Sequence, residues 1–421
     1  MRARIATSGP DARAAEEILQ EQGCALVGAA DSPIDLLVVD EWTAETDAAV
    51  VAARRSGTRV TVLGELILEH APRPIVGVTG TAGKTSTCRA LESILRECGL
   101  RVNISSTARS GNAWPDHSLA GQLRTPAPGA ITIAELTSTH LCHMTHVHPD
   151  VAVVTTIRPD HVELHGSLEA YVAAKRKLIA ELGEADAVVL PADDPQTLAA
   201  LGRSRGTHWW FGVAGDGGTG DGRSGAFGVA GGIHLRAPDG EARRPTALEG
   251  PPLRAALAAA AAALALGVAP HEVARGIGML PVVAHRQAAR QGPRGITIVD
   301  DTMAATPLKV QAAVERFAGP GLVVVVGGDD ALAGSPVHSS PEEQALLAEA
   351  LQAVRDSAGA VVAFGPARER ILPHLSPDAV ADGIGDAVAV ATDLCPDGGT
   401  VLVSPMFPLT PQEREAAAGR A

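Results

Sequence analysis

A phosphate-binding loop is the first chemistry that the residue pattern indicates. Residues 74–95 read PIVGVTGTAGKTSTCRALESIL, an apolar strand-like run that passes through glycines into a helix-like run. Glycine lets the backbone approach phosphate oxygens, and the N–H groups at a helix start point at the anion. Lys84 would reach the terminal phosphates, and Thr85 would ligate magnesium. The residues expected to hold the nucleotide are Gly80, Thr81, Gly83, Lys84, Thr85 and Ser86.

Two features bear on the specificity of this loop. The strict pattern has another glycine six residues before the lysine, where this chain carries Val78, so an ordinary Gly-rich turn is the alternative. The chain has 35 Lys plus Arg, yet lysine is rare among them. A lysine that survives in so arginine-rich a composition indicates a position that a planar guanidinium cannot serve. The lysines are Lys84, Lys175, Lys177 and Lys309.

The elements that must position the loop fall into three blocks. Residues 1–71 alternate helix-like and strand-like segments, which predicts a small Rossmann-like N-terminal domain. Residues 72–283 predict a central P-loop ATPase-like domain with a parallel sheet. Within it, 213–240 is interpreted as a Gly-rich loop or loose hairpin, and 253–267 as a buried Ala-rich helix. Residues 284–421 predict a Rossmann-like C-terminal domain, so the expected fold class is α/β with three domains.

The composition narrows the class of protein. With 46% apolar and 20% charged residues, the 421-residue chain is typical of a globular α/β protein. The net charge of −13 argues against nucleic acid or an anionic membrane surface as a partner. Five scattered cysteines without a CxxC pair indicate reduced thiols. No apolar run approaches the ~18 residues of a membrane span, so we expect a cytoplasmic protein.

Three further stretches follow the loop in order. They read AELTSTHL at 134–141, HPDVAVVTTIRPDHVELHGSLEAYVAAKRKLI at 148–179 and LPADDP at 190–195. Together with the loop, this series resembles the Mur ligases, which are ATP-dependent amide ligases related to folylpolyglutamate and cyanophycin synthetases. The resemblance extends from about residue 35 to the end and is most specific between 75 and 195. It is strongest to the family member that adds D-glutamate.

The resemblance implies a reaction. ATP phosphorylates a substrate carboxylate, an amine or amino acid attacks the resulting acyl phosphate, and phosphate leaves. Such a reaction depends on positioning and charge neutralisation more than on a covalent protein nucleophile. The implied cofactors are ATP and Mg²⁺, and the implied partners are small-molecule carboxylate and amine substrates. The chain is then expected to be a monomer or a weak homodimer.

The resemblance also implies roles for residues outside the loop. Glu135 matches the family's metal-binding glutamate, and His161 matches its second metal-site residue. Lys175 matches a lysine that the family carbamylates with CO₂, which supplies an acid-like ligand to magnesium. The implied metal site therefore comprises Thr85, Glu135, His161 and Lys175, and the implied catalytic residues are Lys84, His161 and Lys175. The alternative is that Glu135 and His161 are ordinary strand-end polar residues and Lys175 is a helix-surface cation.

Two residues of the third block complete the implied nucleotide site. Arg286 resembles an arginine that contacts the ATP phosphates, and Asp301 resembles an aspartate that binds the ribose. In the family the C-terminal domain closes over ATP and excludes water from the acyl phosphate. Arg286 and Asp301 are therefore expected to act after closure.

The chain departs from the family at positions that recognise substrates. Pro252 and Ala255 stand where asparagines hold the adenine. Met303 and Thr306 replace a lysine and an asparagine, and Ala331 replaces a second lysine. Leaving a substrate carboxylate without its cationic partner would cost roughly 2–5 kcal/mol. We therefore do not expect D-glutamate to be the amine.

The N-terminal block departs from the family as well. It offers only ATSGPDA, residues 6–12, in place of the Gly-rich turn that cradles a UDP group. The resulting hypothesis is a divergent ligase that acts on a non-peptidoglycan carboxylate.

The sequence leaves two alternatives to a ligase. A catalytically silent relative that binds nucleotide or acts as a scaffold is favoured by Met303 and the lost asparagines. The retained Lys84, Glu135 and Lys175 oppose it, because an idle site would be expected to lose its metal ligands early. A P-loop kinase or NTPase is disfavoured because the 160–175 stretch has no role in such enzymes.

A histidine-rich stretch raises the question of zinc. His140, His143, His146 and His148 lie close together in HLCHMTHVHPD. Their spacing follows no standard ligand pattern, so we interpret them as partly exposed histidines rather than as a zinc site.

Overall fold

The computed structural model describes most of the chain, and the strands of the described part form three sheets. By internal contacts the chain forms two compact units, and each is described here by itself. The first comprises residues 1–158, 164–247 and 253–280, and the second comprises 159–163, 248–252 and 281–421. Within the described part, no helix combines the length and apolar character needed to cross a membrane. The described residues are 1–28, 33–106, 129–213, 222–280, 284–333 and 340–419.

The N-terminal sheet is parallel throughout. Its strands are β1 (Arg2–Ile5), β2 (Ala25–Leu26), β3 (Leu36–Val39) and β4 (Arg59–Val62). They lie in the order β2-β1-β3-β4, and every pairing is parallel. The helices between and after them are Gly9–Glu21, Ala48–Arg55 and Leu63–Leu68. Because β3 alternates its side chains between two apolar clusters, it is buried on both faces.

The central sheet carries the phosphate loop. Its strands are β5 (Ile75–Thr79), β6 (Val102–Ser106), β7 (Ile131–Glu135), β8 (Val151–Val154), β9 (Ala187–Pro191), β10 (Thr207–Val213), β11 (Gly225–Val229), β12 (Gly232–Ala237) and β13 (Gly240–Pro245). They lie in the order β13-β12-β11-β10-β9-β8-β5-β7-β6. The chain runs from β5 to one side of the sheet and then crosses to β8 on the other. The loop after β5 therefore lies at a topological switch point, where open α/β sheets bind ligands.

The prediction of a Gly-rich loop or loose hairpin for residues 213–240 is partly correct, because β11 and β12 form an antiparallel hairpin, and residues 214–221 lie outside the described residues. β11 pairs in parallel with β10, and β12 and β13 then extend the sheet as antiparallel strands. Two of the glycines in this range are sites of close strand approach. A Cβ on Gly225 would lie 1.8 Å from the carbonyl oxygen of Trp210, and one on Gly232 would lie 2.5 Å from that of Arg244. Glycine is required there by packing and not by a turn.

Helices cover both the phosphate loop and the rest of the central sheet. The prediction of a buried Ala-rich helix is correct, because the helix Gly250–Ala265 is buried from Ala255 to Leu264. The other helices described in this part are Lys84–Glu97, Ser138–His143, Val162–His165, Leu168–Ala180, Pro195–Leu201 and Pro270–Ile277.

The C-terminal sheet is parallel except at one edge. Its strands are β14 (Ala288–Gln291), β15 (Thr297–Asp300), β16 (Leu322–Gly327), β17 (Ala360–Phe364), β18 (Ala379–Ala381) and β19 (Thr400–Met406). They lie in the order β14-β15-β19-β16-β17-β18, with β14 antiparallel to β15. The helices are Pro307–Phe317, Pro341–Ser357, Arg368–Ile371, Ile384–Leu394 and Pro411–Ala417, with 3₁₀ turns at Pro293–Gly295 and Asp330–Ala333. The α/β fold class is confirmed, and the exact domain boundaries stay a prediction.

A buried carboxylate joins the N-terminal sheet to the central part of the first unit. Glu65 is 1% exposed, and its Oε1 accepts hydrogen bonds from the backbone N–H groups of Thr145 and His146, at 2.9 and 2.8 Å. Arg59 Nη2 lies 2.9 Å from the same oxygen. A buried charge with this many partners is satisfied, and removal of the charge leaves the partners without an acceptor.

We expect Glu65→Gln to destabilise this junction. The change removes the negative charge and replaces one carboxylate oxygen with an NH₂ group, although the surrounding groups are hydrogen-bond donors. The free energy of unfolding should therefore fall by about 2–4 kcal/mol. Urea denaturation followed by circular dichroism measures it. Glu69→Gln is the matched control, because Glu69 contacts the same Arg59 from a position that is 34% exposed. Glu69→Gln should lower the free energy of unfolding by less than ~1 kcal/mol. Equal losses in the two variants would contradict the role assigned to Glu65.

Candidate active site

Two glycines shape the phosphate loop. Gly80 has φ 147° and Gly83 has φ 86°, both in the region that favours glycine. A Cβ on Gly80 would lie 1.9 Å from Thr155 Oγ1, so no other residue fits there. Gly83 immediately precedes the helix Lys84–Glu97, whose first turn contains Thr85 and Ser86. The loop therefore has the geometry that its sequence predicts for an anion site.

The segment that follows β8 supports the loop from one side. Thr81 N–H donates to the Thr156 carbonyl at 2.7 Å, and Arg158 N–H donates to Thr81 Oγ1 at 2.9 Å. Thr155 Oγ1 donates to the Ala82 carbonyl at 2.5 Å. These bonds fix the loop against its neighbouring strand end.

Two lysines converge on one carbonyl oxygen of the loop. Lys84 Nζ donates to Gly80 O at 2.8 Å, and Lys175 Nζ donates to the same oxygen at 3.0 Å. Lys175 lies on the helix Leu168–Ala180 and is 1% exposed. The alternative that Lys175 is a helix-surface cation is therefore wrong. Two lysine amines therefore lie beside one oxygen of the phosphate loop.

A carboxylate and a hydroxyl meet beside the same loop. Glu135 ends β7, and its Oε1 accepts a hydrogen bond from Thr85 Oγ1 at 3.0 Å. Both residues are buried, at 3% and 5% exposure. Oxygen donors of these two types are the ligands that Mg²⁺ takes in proteins. The structure thus brings together the loop, Lys84, Lys175 and the Thr85–Glu135 pair.

Tyr171 is a site residue that sequence reasoning missed. It is fully buried, and its hydroxyl lies 2.6 Å from Thr81 Oγ1 in the loop. Lys175 Nζ lies 4.7 Å from the centre of its ring, within cation–π range. The sequence does contain one indication that Tyr171 belongs to the site. It is the single tyrosine of the chain, and it precedes Lys175 by one helical turn.

The remaining predicted residues belong to the second unit. His161 lies in its 159–163 segment with φ 55°, and its Nε2 is 3.7 Å from Asp160 Oδ2. Burial raises the pKa of Asp301 to about 7, against the opposing influence of Arg286 and of the Ser404 hydrogen bond. Ser404 Oγ donates to Asp301 Oδ2 at 3.2 Å. The roles of Arg286 and Asp301 as nucleotide contacts stay a prediction.

The interpretation of the four histidines as partly exposed needs correction. His140 and His143 are 3% and 1% exposed, whereas His146 and His148 have exposed side chains. The first two are buried because the loop after β3 covers the helix Ser138–His143. His140 contacts Glu41, and His143 Nε2 lies 2.7 Å from the carbonyl oxygen of Thr43. The four side chains have separate partners and form no common cluster.

The Asp301 carboxyl should make stability depend on pH. Its pKa is about 7 in the folded protein against an ordinary value of 3.8. Between these values the folded state holds a proton that the unfolded state releases, so stability falls as pH rises from about 4 to about 7. The free energy of unfolding of Asp301→Asn minus that of the wild type should be larger at pH 8 than at pH 5. Urea unfolding should show an increase of about 2–3 kcal/mol in this difference. If this difference in free energy does not change with pH, the raised pKa of Asp301 is refuted.

Comparison of the sequence with those of known proteins identifies relatives of this chain. Residues 78–223 match the Mur ligase middle domain. The chain is 30% identical over 383 residues to the UDP-N-acetylmuramoylalanine–D-glutamate ligase of Pelotomaculum thermopropionicum, which covers 90% of this chain and 80% of that protein. It is 31% identical over 386 residues to the ligase of the same name from Rubrobacter xylanophilus, over 88% of this chain and 80% of the relative.

Solved structures show the same fold. The MurF ligase of Thermotoga maritima in complex with ADP superposes with a TM-score of 0.63 at 20% identity, over 99% of this chain and 93% of that one. FolC of E. coli in complex with DHPP and ADP gives a TM-score of 0.60 at 18% identity, over 84% and 89%. With relatives of this identity and coverage, the chain belongs to the Mur ligase family, whose members are ATP-dependent, ADP-forming amide ligases.

Proposed function

We propose that the chain is an ATP-dependent ligase that joins a carboxylate to an amine or amino acid and releases ADP and phosphate. The observation that carries this proposal is the convergence on Gly80. The amines of Lys84 and Lys175 both donate to its carbonyl, beside the buried Thr85–Glu135 hydrogen bond. A second buried lysine has no role in a simple P-loop kinase, so it favours the ligase.

The proposed chemistry needs charge stabilisation at the loop. A carboxylate oxygen attacks the γ-phosphorus and ADP leaves, after which the amine attacks the acyl carbon and phosphate leaves. Lys84 and the N–H groups at the start of the helix Lys84–Glu97 would stabilise the negative charge that develops on the phosphate oxygens. To do so, the Lys84 amine must exchange its contact with the Gly80 carbonyl for the phosphates.

The residues present fit a magnesium ion. Thr85 and Glu135 supply buried oxygen atoms 3.0 Å apart, and we propose His161 and a carbamylated Lys175 as the further site residues. Carbamylation would join the Lys175 amine to CO₂ with release of a proton and would give this side chain oxygen ligands. When bound, the ion neutralises charge on the phosphate oxygens. Arg286 and Asp301 are proposed as nucleotide contacts of the second unit.

The substrate is proposed to differ from the one named for the relatives. Met303 and Ala331 lack the cationic groups that would pair with a glutamate side chain. Ala255 is buried within the helix Gly250–Ala265, where an asparagine would offer hydrogen bonds. These replacements support a non-peptidoglycan carboxylate and a different amine.

The carboxyl edge of the N-terminal sheet supports the same choice. Asp40 and Glu41 follow β3, and Thr7, which follows β1, donates to Asp40 Oδ2 at 3.2 Å. Glu41 is 7% exposed and contacts His140 Nε2. Because ligands of parallel sheets bind at this edge, a UDP diphosphate would meet the Asp40 carboxylate there. A substrate without a diphosphate fits this edge better.

The decisive experiment is calorimetry of Mg·ATP binding in the presence of bicarbonate. We expect the native protein to bind and Lys84→Ala to lose at least ~10-fold in affinity, since a charge-assisted hydrogen bond contributes about 1.5–3 kcal/mol. No binding to the native protein at millimolar ATP would refute the ligase.

Phosphate release then tests the substrate. UDP-N-acetylmuramoyl-L-alanine with D-glutamate is expected to yield no ADP, and robust ADP release would overturn the non-peptidoglycan part of the proposal. Nucleotide binding without turnover of any carboxylate–amine pair would favour the silent relative, to which Met303 and the lost asparagines point.

A glycine pair tests the loop without altering charge. Gly80→Ala places a Cβ 1.9 Å from Thr155 Oγ1 and should abolish Mg·ATP binding in the same assay. Gly99→Ala is the control, because Gly99 also has positive φ, at 76°, but lies in open space beyond the end of the same helix. It should cost about 1 kcal/mol of stability and leave binding unchanged. Equal effects on binding would show that the close approach at Gly80 is unimportant.

A further inference from the structure

A cluster of three metal-ligating side chains lies apart from the phosphate loop. Glu45 follows β3, Cys142 lies on the helix Ser138–His143, and His165 precedes the helix Leu168–Ala180. One potential ligand atom from each lies within 4.8 Å of the others. Carboxylate, thiolate and imidazole are the three side-chain donors that bind zinc in proteins.

The contact between Glu45 and His165 has the spacing of two zinc ligands. Glu45 Oε2 and His165 Nδ1 are 3.4 Å apart, longer than the ~2.7–2.9 Å of a charge-assisted hydrogen bond. Zinc–oxygen and zinc–nitrogen bonds of about 2.0–2.2 Å at a tetrahedral angle separate two ligands by about 3.4 Å. The observed spacing therefore accommodates an ion without rearrangement of this pair.

Hydrogen bonding leaves one nitrogen of the His165 imidazole unsatisfied. The His165 side chain is 1% exposed, and its Nε2 has no hydrogen-bond partner among the residues that the structure describes. A buried polar group left unsatisfied costs about 1–3 kcal/mol. Nε2 is the ring nitrogen that does not face Glu45, so an ion between Glu45 and His165 would bind Nδ1 and replace the long contact there with a strong one.

One oxygen of the Glu45 carboxylate is available to an ion. Arg54 Nη1 lies 3.2 Å from Glu45 Oε1, which leaves Oε2 on the His165 side. Ligation by Cys142 requires its thiolate form, so binding of an ion there would release the thiol proton.

We propose that Glu45, Cys142 and His165 form a zinc site that joins the loop after β3 to the central part of the first unit. Thiolate ligation selects zinc over magnesium or calcium, which take oxygen ligands. The His165 ring packs edge-on against Tyr171 at 5.5 Å, and Tyr171 bonds to Thr81 of the phosphate loop. The zinc site would therefore fix the position of the N-terminal sheet relative to the nucleotide site. The zinc proposal does not depend on the ligase proposal.

Metal titration of the full chain tests the site. After dialysis against EDTA, the protein should bind about one equivalent of Zn²⁺ with submicromolar affinity in competition with a chromophoric chelator. Co²⁺ should give a thiolate-to-cobalt charge-transfer band, which an ion at the oxygen donors Thr85 and Glu135 cannot produce. Cys142→Ser should remove the band and weaken zinc binding at least ~100-fold.

Two further variants keep the result interpretable. Cys395→Ser changes a buried cysteine of the second unit and should leave the band intact. Glu45→Gln preserves side-chain volume and should weaken zinc binding at least ~10-fold while the circular dichroism spectrum stays native, which covers the case in which Cys142→Ser fails to fold. Absence of a charge-transfer band in the native protein, or zinc affinity unaffected by Glu45→Gln, would overturn the proposal.

Discussion

The candidate active site depends on the close approach of Gly80 to Thr155. Because Gly80 has no side chain, β5 and β8 can end side by side, and the Gly80 carbonyl is left facing two lysine amines. The loop hydrogen bonds from the segment after β8 require the same proximity. A larger residue would separate the strand ends and move the two lysine amines apart. The other site residues are arranged around the point where Gly80 meets Thr155.

Much of the fold and the centre of the site could be predicted from the sequence. Strand-like runs flanked by helical segments indicate parallel sheets, and β5 and its loop carry a pattern that is short, local and chemically specific. The scarcity of lysine singled out Lys175, which is buried beside the loop. These features are predictable because each is encoded in neighbouring residues or in a residue type that the composition otherwise avoids.

Features that depend on distant residues could not be predicted. The glycines of β11–β13 look like loop residues until the strand that packs against them is known. The burial of His140 and His143 depends on the loop after β3, about a hundred residues earlier in the chain. The cluster of Glu45, Cys142 and His165 likewise joins three separate segments. Sequence periodicity carries no information about such contacts.

The chain contains one tyrosine, and that residue is Tyr171. Its hydroxyl is bonded to Thr81 of the loop, and its ring contacts Lys175 and His165. Incorporation of fluorotyrosine would therefore place a single fluorine nucleus inside the protein, at the point where the loop, the lysine and the N-terminal junction meet. One ¹⁹F resonance would report on that point, with no overlapping signals to assign and no change to the surface.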